Sequence, residues 1–177
     1  MEGSFIPECY FDTVLVKTIL QIKGVLNHKK GCNDVIKVMK DGKLKDNFAV
    51  GIVDKDKTEL GYLKEFDKYE FENLNLYRHS NRSKHHYIIQ LNPPIEKWIL
   101  RVAREANINI VDFGLPEDFE SLKKLTKSEL AAETQELKKL CKVLVESESA
   151  TIKRFANWVK YLKEKNYNVD INELKNA

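Results

Sequence analysis

Long apolar runs are missing from these 177 residues: none approaches the about 18 consecutive apolar positions that a membrane span requires. The opening MEGSFIPECYFD has no basic segment followed by an apolar one, so no export signal is read there. A cytoplasmic protein with no membrane partner is expected. Cysteine is scarce: Cys9, Cys32 and Cys141 are odd in number and show no Cys-x-x-Cys spacing, which argues against a disulfide framework and a zinc site. Nor is there an excess of one charge. The net charge is +3, and no third of the chain departs far from balance, so any basic surface must be local. No internal repeat or low-complexity segment is present. The 42% hydrophobic and 32% charged residues are ordinary for a globular chain, long enough for one domain with a small appendage.

The local patterns alternate between strand and helix. GSFIPE reads as a short strand ending at Glu8, followed at once by a helix over DTVLVKTIL with Asp12 as its cap. KGVLNH is a weaker strand candidate. GCNDVIKVMK offers a loop glycine, a cap at Asn33 and a helix burying Val35, Ile36, Val38 and Met39. NFAVGIVD is the clearest strand, and NLNLYRHS and KHHYIIQL are two more. This order implies an α/β fold with a largely parallel sheet flanked by helices. Pro7 counts against a long central first strand, because proline cannot donate to the ladder.

After Leu91 the texture becomes helical. NPPIEKWILRVAREAN places Asn92 as a cap, prolines in the first turn, and Ile95, Trp98, Ile99, Val102 and Ala106 on one face. Residues 107 to 118 read as a joint, which divides the chain into an α/β part over 1–110 and a helical C-terminal extension over 111–177. In that extension Leu137, Leu140, Val143, Leu144, Phe155, Trp158 and Leu162 are expected to form a shared apolar stripe packed on the α/β part.

The chemistry-bearing residues gather at strand ends. Asp54 and Asp56 follow the apolar strand directly, and two like charges one residue apart are costly there unless a cation joins them. In an open parallel sheet ligands collect beyond the carboxyl ends of the strands, where Glu8, Asp54 and Asp56 would converge. An all-oxygen set of this kind suits Mg2+ or Mn2+. Among basic residues, RHSNRSKHH supplies Arg78, Arg82 and Lys84, and Lys30 beside His28 and Lys29 could face a phosphate; a solvated loop explains either group equally well. His79, His85 and His86 have no metal spacing and are read as exposed or hydrogen-bonded in the core.

FIPECYFDTVLVKTIL and AVGIVDKDK resemble the first strand with its terminal Glu and the Asp-x-Asp strand of the Toprim domain, the catalytic module of several topoisomerases, primases and OLD-family nucleases. LNPPIEKWIL is similar to the Asn-Pro-x-x-Glu-x-Trp segment of the RloB-like branch, small proteins often found near phage-defence loci. The resemblance covers roughly the first hundred residues and leaves the helical tail unexplained. It implies a Rossmann-like Toprim sheet and a metal-dependent, nuclease-like phosphoryl transfer on DNA or RNA. Glu8 would be the general acid/base, Asp54 and Asp56 the holders of Mg2+ or Mn2+, and Glu96 a further acidic group at the metal; Arg78, Arg82, Lys84 and Lys30 would bind substrate.

Cys9 and Lys57 stand where Toprim sequences commonly carry a small residue, usually glycine. These departures keep a catalytically inactive Toprim-like binding module in play. VGIVDKDKTEL also matches the Asp-x-Asp-x-Thr string of haloacid-dehalogenase-like phosphatases, in which Asp54 would be the nucleophile and Asp56 the acid. Against that reading, a strand and two helices precede the motif, and no convincing later acidic pair follows.

Overall fold

A computed structural model of the chain describes residues 2–55 and 61–177. Its centre is one five-stranded sheet, β1 (Phe5–Pro7), β2 (Ala49–Asp54), β3 (Phe66–Glu70), β4 (Leu74–His79) and β5 (His86–Leu91), in the order β1-β2-β5-β4-β3. β1, β2 and β5 run parallel, with Phe5 opposite Val50 and Asp54 opposite Leu91. β4 is antiparallel to β5, and β3 to β4. The sheet is therefore mixed where a largely parallel one was expected. The links 71–73 and 80–85 are too short for the crossover a parallel neighbour needs, so those strands turn back on themselves. Pro7 ends a three-residue edge strand, where its missing N–H costs no central ladder bond.

Residues alternate across β2 as strand geometry requires. Ala49, Gly51 and Val53 face α2 (Cys32–Lys40), where Val35, Ile36 and Met39 pack with Ile6, Tyr62, Tyr77 and Ile88. Helix α2 lies so close to the strand that a Cβ built on Gly51 would stand 2.9 Å from Met39 Sδ and 3.1 Å from Val35 Cγ1. Val50 and Ile52 face the other layer, formed by α1 (Tyr10–Leu20), α3 (Ile95–Glu105), α5 (Gln135–Glu146) and α6 (Ala150–Lys165). Asp54 is in the same alternation as Val50 and Ile52, which points it toward α1 and α3.

The helical tail, which also includes α4 (Phe119–Lys127) and α7 (Ile171–Asn176), shares one apolar core with α1 and α3. Trp98 meets Phe155 at 5.6 Å between ring centroids, and Phe71 meets Trp158 at 4.9 Å. Leu137, Leu140, Leu144, Phe155, Trp158 and Leu162 are buried as expected; Val143 is exposed, one position off the stripe. The segment KGVLNH forms no strand: Leu26 is buried, whereas Val25 is exposed. No helix among the described residues is long and apolar enough to cross a membrane.

Candidate functional site

Three chain segments meet at the carboxyl edge of β1 and β2. Glu8 leaves β1 with its backbone N–H donating to Ile52 O at 3.0 Å, and its Oε2 accepts the backbone N–H of Asp54 at 2.8 Å. The two acidic strand ends are thereby tied together. Asp54 Oδ1 accepts the backbone N–H of Ile95 at 2.9 Å, the first residue of α3. That donor has no intrahelical partner, and a carboxylate is favoured at a helix N-terminus. Pro94 occupies the N-cap position, where Asn92 was expected, and it has no side chain able to cap; Asp54 supplies the cap from the neighbouring strand.

Asp12 belongs to this cluster, although its sequence position suggested only a helix cap. Cys9 is the N-cap of α1: its Sγ accepts the Asp12 N–H at 3.3 Å while Asp12 Oδ2 accepts the Cys9 N–H at 3.2 Å, a capping box with a thiol in the hydroxyl's place. Asp12 is 1% exposed, and its Oδ1 is buried with no hydrogen-bond partner among the described residues. Glu96, equally buried, accepts a hydrogen bond from Thr126 Oγ1 at 3.1 Å.

The electrostatics follow from packing acids together out of water. Burial, then the charges of Asp12 and Glu8, push Asp54 up to about 9; the Ile95 N–H and Glu96 act on it more weakly and in opposite senses. Burial and Glu8 push Asp12 up to about 8, against the lowering effect of its bonds to Cys9. The Cys9 thiol is raised well above its usual range by burial and by Asp12, so it is no thiolate nucleophile at neutral pH.

A cavity of about 200 Å3 opens from Glu8, Cys9 and Asp54 toward His28, Lys30 and Lys127. His28 stacks on Tyr10 with ring centroids 4.1 Å apart, and burial followed by Lys30 and Lys29 keeps its pKa low. Lys30 Nζ and the Tyr10 hydroxyl both donate to Glu129 Oε1 at 3.0 Å. Glu129 and Lys127 come from the tail, so the helical extension forms part of the cavity's rim.

The predicted residues fall into three groups. Glu8, Asp54, Glu96 and Lys30 are brought to this edge. Arg78, Arg82 and Lys84 are not: Arg78 pairs with Tyr87 near the start of β5, and the 80–85 turn lies beyond the amino edge. A six-residue strand of about 20 Å separates them from Asp54. The structure does not bring these three to the carboxylates, and Arg82 pairs with Asp67 at 3.2 Å. Asp56 lies outside the described residues, as does Lys57. His79 and His86 are buried and hydrogen-bonded, to the Asn81 N–H and to Tyr62 and Leu44 respectively.

Among the described residues no three His, Cys, Asp or Glu side chains are grouped so as to hold one metal ion. The donor chemistry nevertheless fits a hard divalent cation: the cluster is made of carboxylate oxygens, and one of them, Asp12 Oδ1, is orphaned. Sequence reasoning missed Asp12, Lys127 and Glu129. Only Asp12 carried a local signal, standing four residues after Glu8 at a strand-to-helix junction. No family model, curated protein or solved structure matches the chain.

Proposed function

We propose that the chain is a Toprim-type protein that carries out Mg2+- or Mn2+-dependent phosphoryl transfer on nucleic acid. The observation supporting this most directly is the convergence of Glu8 and Asp54, at the ends of two adjacent parallel strands, with the buried Asp12 of α1, whose Oδ1 has no hydrogen-bond partner among the described residues. Asp54, Asp12 and Asp56 would hold the cation, with Glu96 behind them fixed by Thr126. When bound, the metal would supply Lewis-acid polarisation of a phosphate oxygen. Glu8 lines the cavity and is the group assigned to move a proton to or from the reacting oxygen. Lys30 and Lys127 offset phosphate charge at the rim, and Tyr10 and Glu129 keep Lys30 in place.

One observation favours a second reading. Asp54 caps α3 and Asp12 caps α1, which are sufficient structural reasons for both acids in a non-catalytic binding module. The test is metal titration of the full chain, with melting temperature and nucleic-acid cleavage read in parallel. Occupancy at about ten times Kd should stabilise the fold by about 1.4 kcal/mol. Asp54→Asn should abolish that rise and cleavage together, and Glu8→Gln should abolish cleavage while keeping the rise. A melting temperature indifferent to Mg2+ and Mn2+, with no cleavage of DNA or RNA, would establish the binding-module reading. Hydrolysis of a small phosphate monoester that survives Glu8→Gln and dies with Asp54→Asn would establish the phosphatase.

A further inference from the structure

The exposed side of α3 repeats a cation at Lys97, Arg101 and Arg104, spacings of four and three that place them on one stripe. With Leu100 and the half-buried Phe119, these residues line an open groove between α3 and α4 whose walls contain no acidic residue. The ammonium groups of Lys97 and Lys123 lie 5.6 and 5.8 Å from the centroid of the Phe119 ring. Arg101 is committed to Glu72 and Glu105. Lys97, Arg104 and Lys123 have no carboxylate partner among the described residues.

The groove and the carboxylate cavity are joined by a single helix. α4 begins with Phe119 in the groove and ends with Lys127 at the cavity, and nine residues at 1.5 Å each carry it about 12 Å. At the near end, Thr126 bonds to Glu96, the residue preceding Lys97, so the basic stripe starts where the acidic cluster stops.

We infer that the α3–α4 groove is a track for a single nucleic-acid strand entering the carboxylate cavity, an inference that rests on the phosphodiester reading of that cavity. Lys97, Arg104 and Lys123 meet its phosphates, and Phe119 with Leu100 offers apolar surface to an unpaired base. A duplex keeps its bases stacked inside and presents only its phosphates to such a groove, which is why the occupant is single-stranded.

The test measures fluorescence anisotropy of a short labelled single strand, and of the same sequence as a duplex, without metal. The protein is the full chain carrying Asp54→Asn, so that no turnover interferes. The single strand should bind more tightly than the duplex. Lys97→Ala, Arg104→Ala and Lys123→Ala together should weaken it at least about tenfold and reduce the slope of log K against log salt by about two. Phe119→Ala should weaken binding by about tenfold at every salt concentration and leave the slope unchanged. Arg82→Ala with Lys84→Ala, at the far edge of the sheet, should change nothing. Each variant is checked for an unaltered melting temperature, and Gln replaces Ala at any position where it shifts.

Absence of binding, preference for the duplex, or loss of affinity only in the Arg82/Lys84 pair would overturn the track. A groove triple variant with full affinity overturns it as well, even if the wild-type chain cleaves, since the catalytic reading then survives alone. Single-strand binding that follows the groove residues, in a chain that shows no metal-dependent cleavage, upholds the track and sinks the catalytic reading.

Discussion

The two edges of the sheet both bury ionisable side chains, and they treat them in opposite ways. At the amino edge His86 is sealed from solvent with both ring nitrogens engaged: Nδ1 with the Tyr62 hydroxyl at 2.7 Å and Nε2 with Leu44 O at 2.8 Å. His79 stands beside it, its Nδ1 accepting the Asn81 N–H, with Tyr62 and Phe66 packed around both rings. At the carboxyl edge Glu8, Asp12, Asp54 and Glu96 crowd together, and Asp12 Oδ1 has no hydrogen-bond partner among the described residues. The first region is anchored by a fully bonded His86, with His79 Nε2 lying 3.4 Å from Glu65 Oε2 and making no hydrogen bond among the described residues. The second is a strained one, in which like charges oppose folding unless a proton or a cation joins them. Under the proposed function, a proton or a cation at the carboxyl edge relieves that opposition, while at the amino edge hydrogen bonds within the chain engage both ring nitrogens of His86.

The sharpest way to break this comparison is His86→Ala. It strips partners from Tyr62 and Leu44 in a sealed space, and should cost about 3 kcal/mol, roughly 6–12 °C in melting temperature for a chain of this size. If the variant melts within a degree or two of wild type, the histidine network is not structural and the contrast fails.

The next test is pH, because the two edges carry linkage of opposite sign. Burial holds the folded His79 and His86 below their usual pKa, so the folded chain resists protons there. Stability from that edge is complete above about 6.5 and is lost as pH falls through the lower folded values. Asp12 and Asp54, raised to about 8 and about 9, retain protons that the unfolded chain has released; their edge loses stability as pH rises from about 4 toward those values. Without metal, Asp12→Asn should therefore raise stability at pH 8 by on the order of 2 kcal/mol and leave the acid limb of the melting profile unmoved. A fall in stability at pH 8 would show that the Asp12 carboxyl is a structural cap and not a strained group.

The smallest expected effect is Glu129→Gln. The Lys30–Glu129 pair is mostly exposed, and pairs of that kind contribute about 0–1 kcal/mol, so melting should hardly change. Cleavage, where present, should fall more than stability does, because Lys30 loses the contact that positions it at the cavity. A large loss of melting temperature instead would make the tail's contact with the rim structural.

What the sequence disclosed and what it concealed divide along the same lines. β2, β5 and α3 were legible because each writes its burial directly: unbroken apolar strands and a 3.6-residue stripe. β3 was not, since FDKYE is short and places Asp67, Lys68 and Glu70 on partly or fully exposed positions of an edge strand. Glu8 and Asp54 were legible as acids closing apolar strands. Asp12 was misread because Cys9, an unusual cap, took the position an aspartate would normally fill. The separation of Arg78, Arg82 and Lys84 from the acids depended on strand direction, which local pattern does not encode. Lys127 and Glu129 reach the cavity from more than a hundred residues after Glu8, brought there by the packing of α4 and the turn after it against α1, within the layer that α5 and α6 complete.

That packing also sets a timetable. β3, β4 and β5 are neighbours both in sequence and in the sheet, so they can pair as soon as they are synthesised. β1 can pair with β2 and set Ile6 against α2 early, but α1, which carries Asp12, has an apolar face that awaits α5 and α6, which leave the ribosome near the end. Glu8 and Asp54 can therefore be tied by strand pairing well before Asp12 gains its full cover. Only the burial of Asp12 waits for the last long helix to close the layer over α1, so a truncated product carries the strand-end acids without the buried third one.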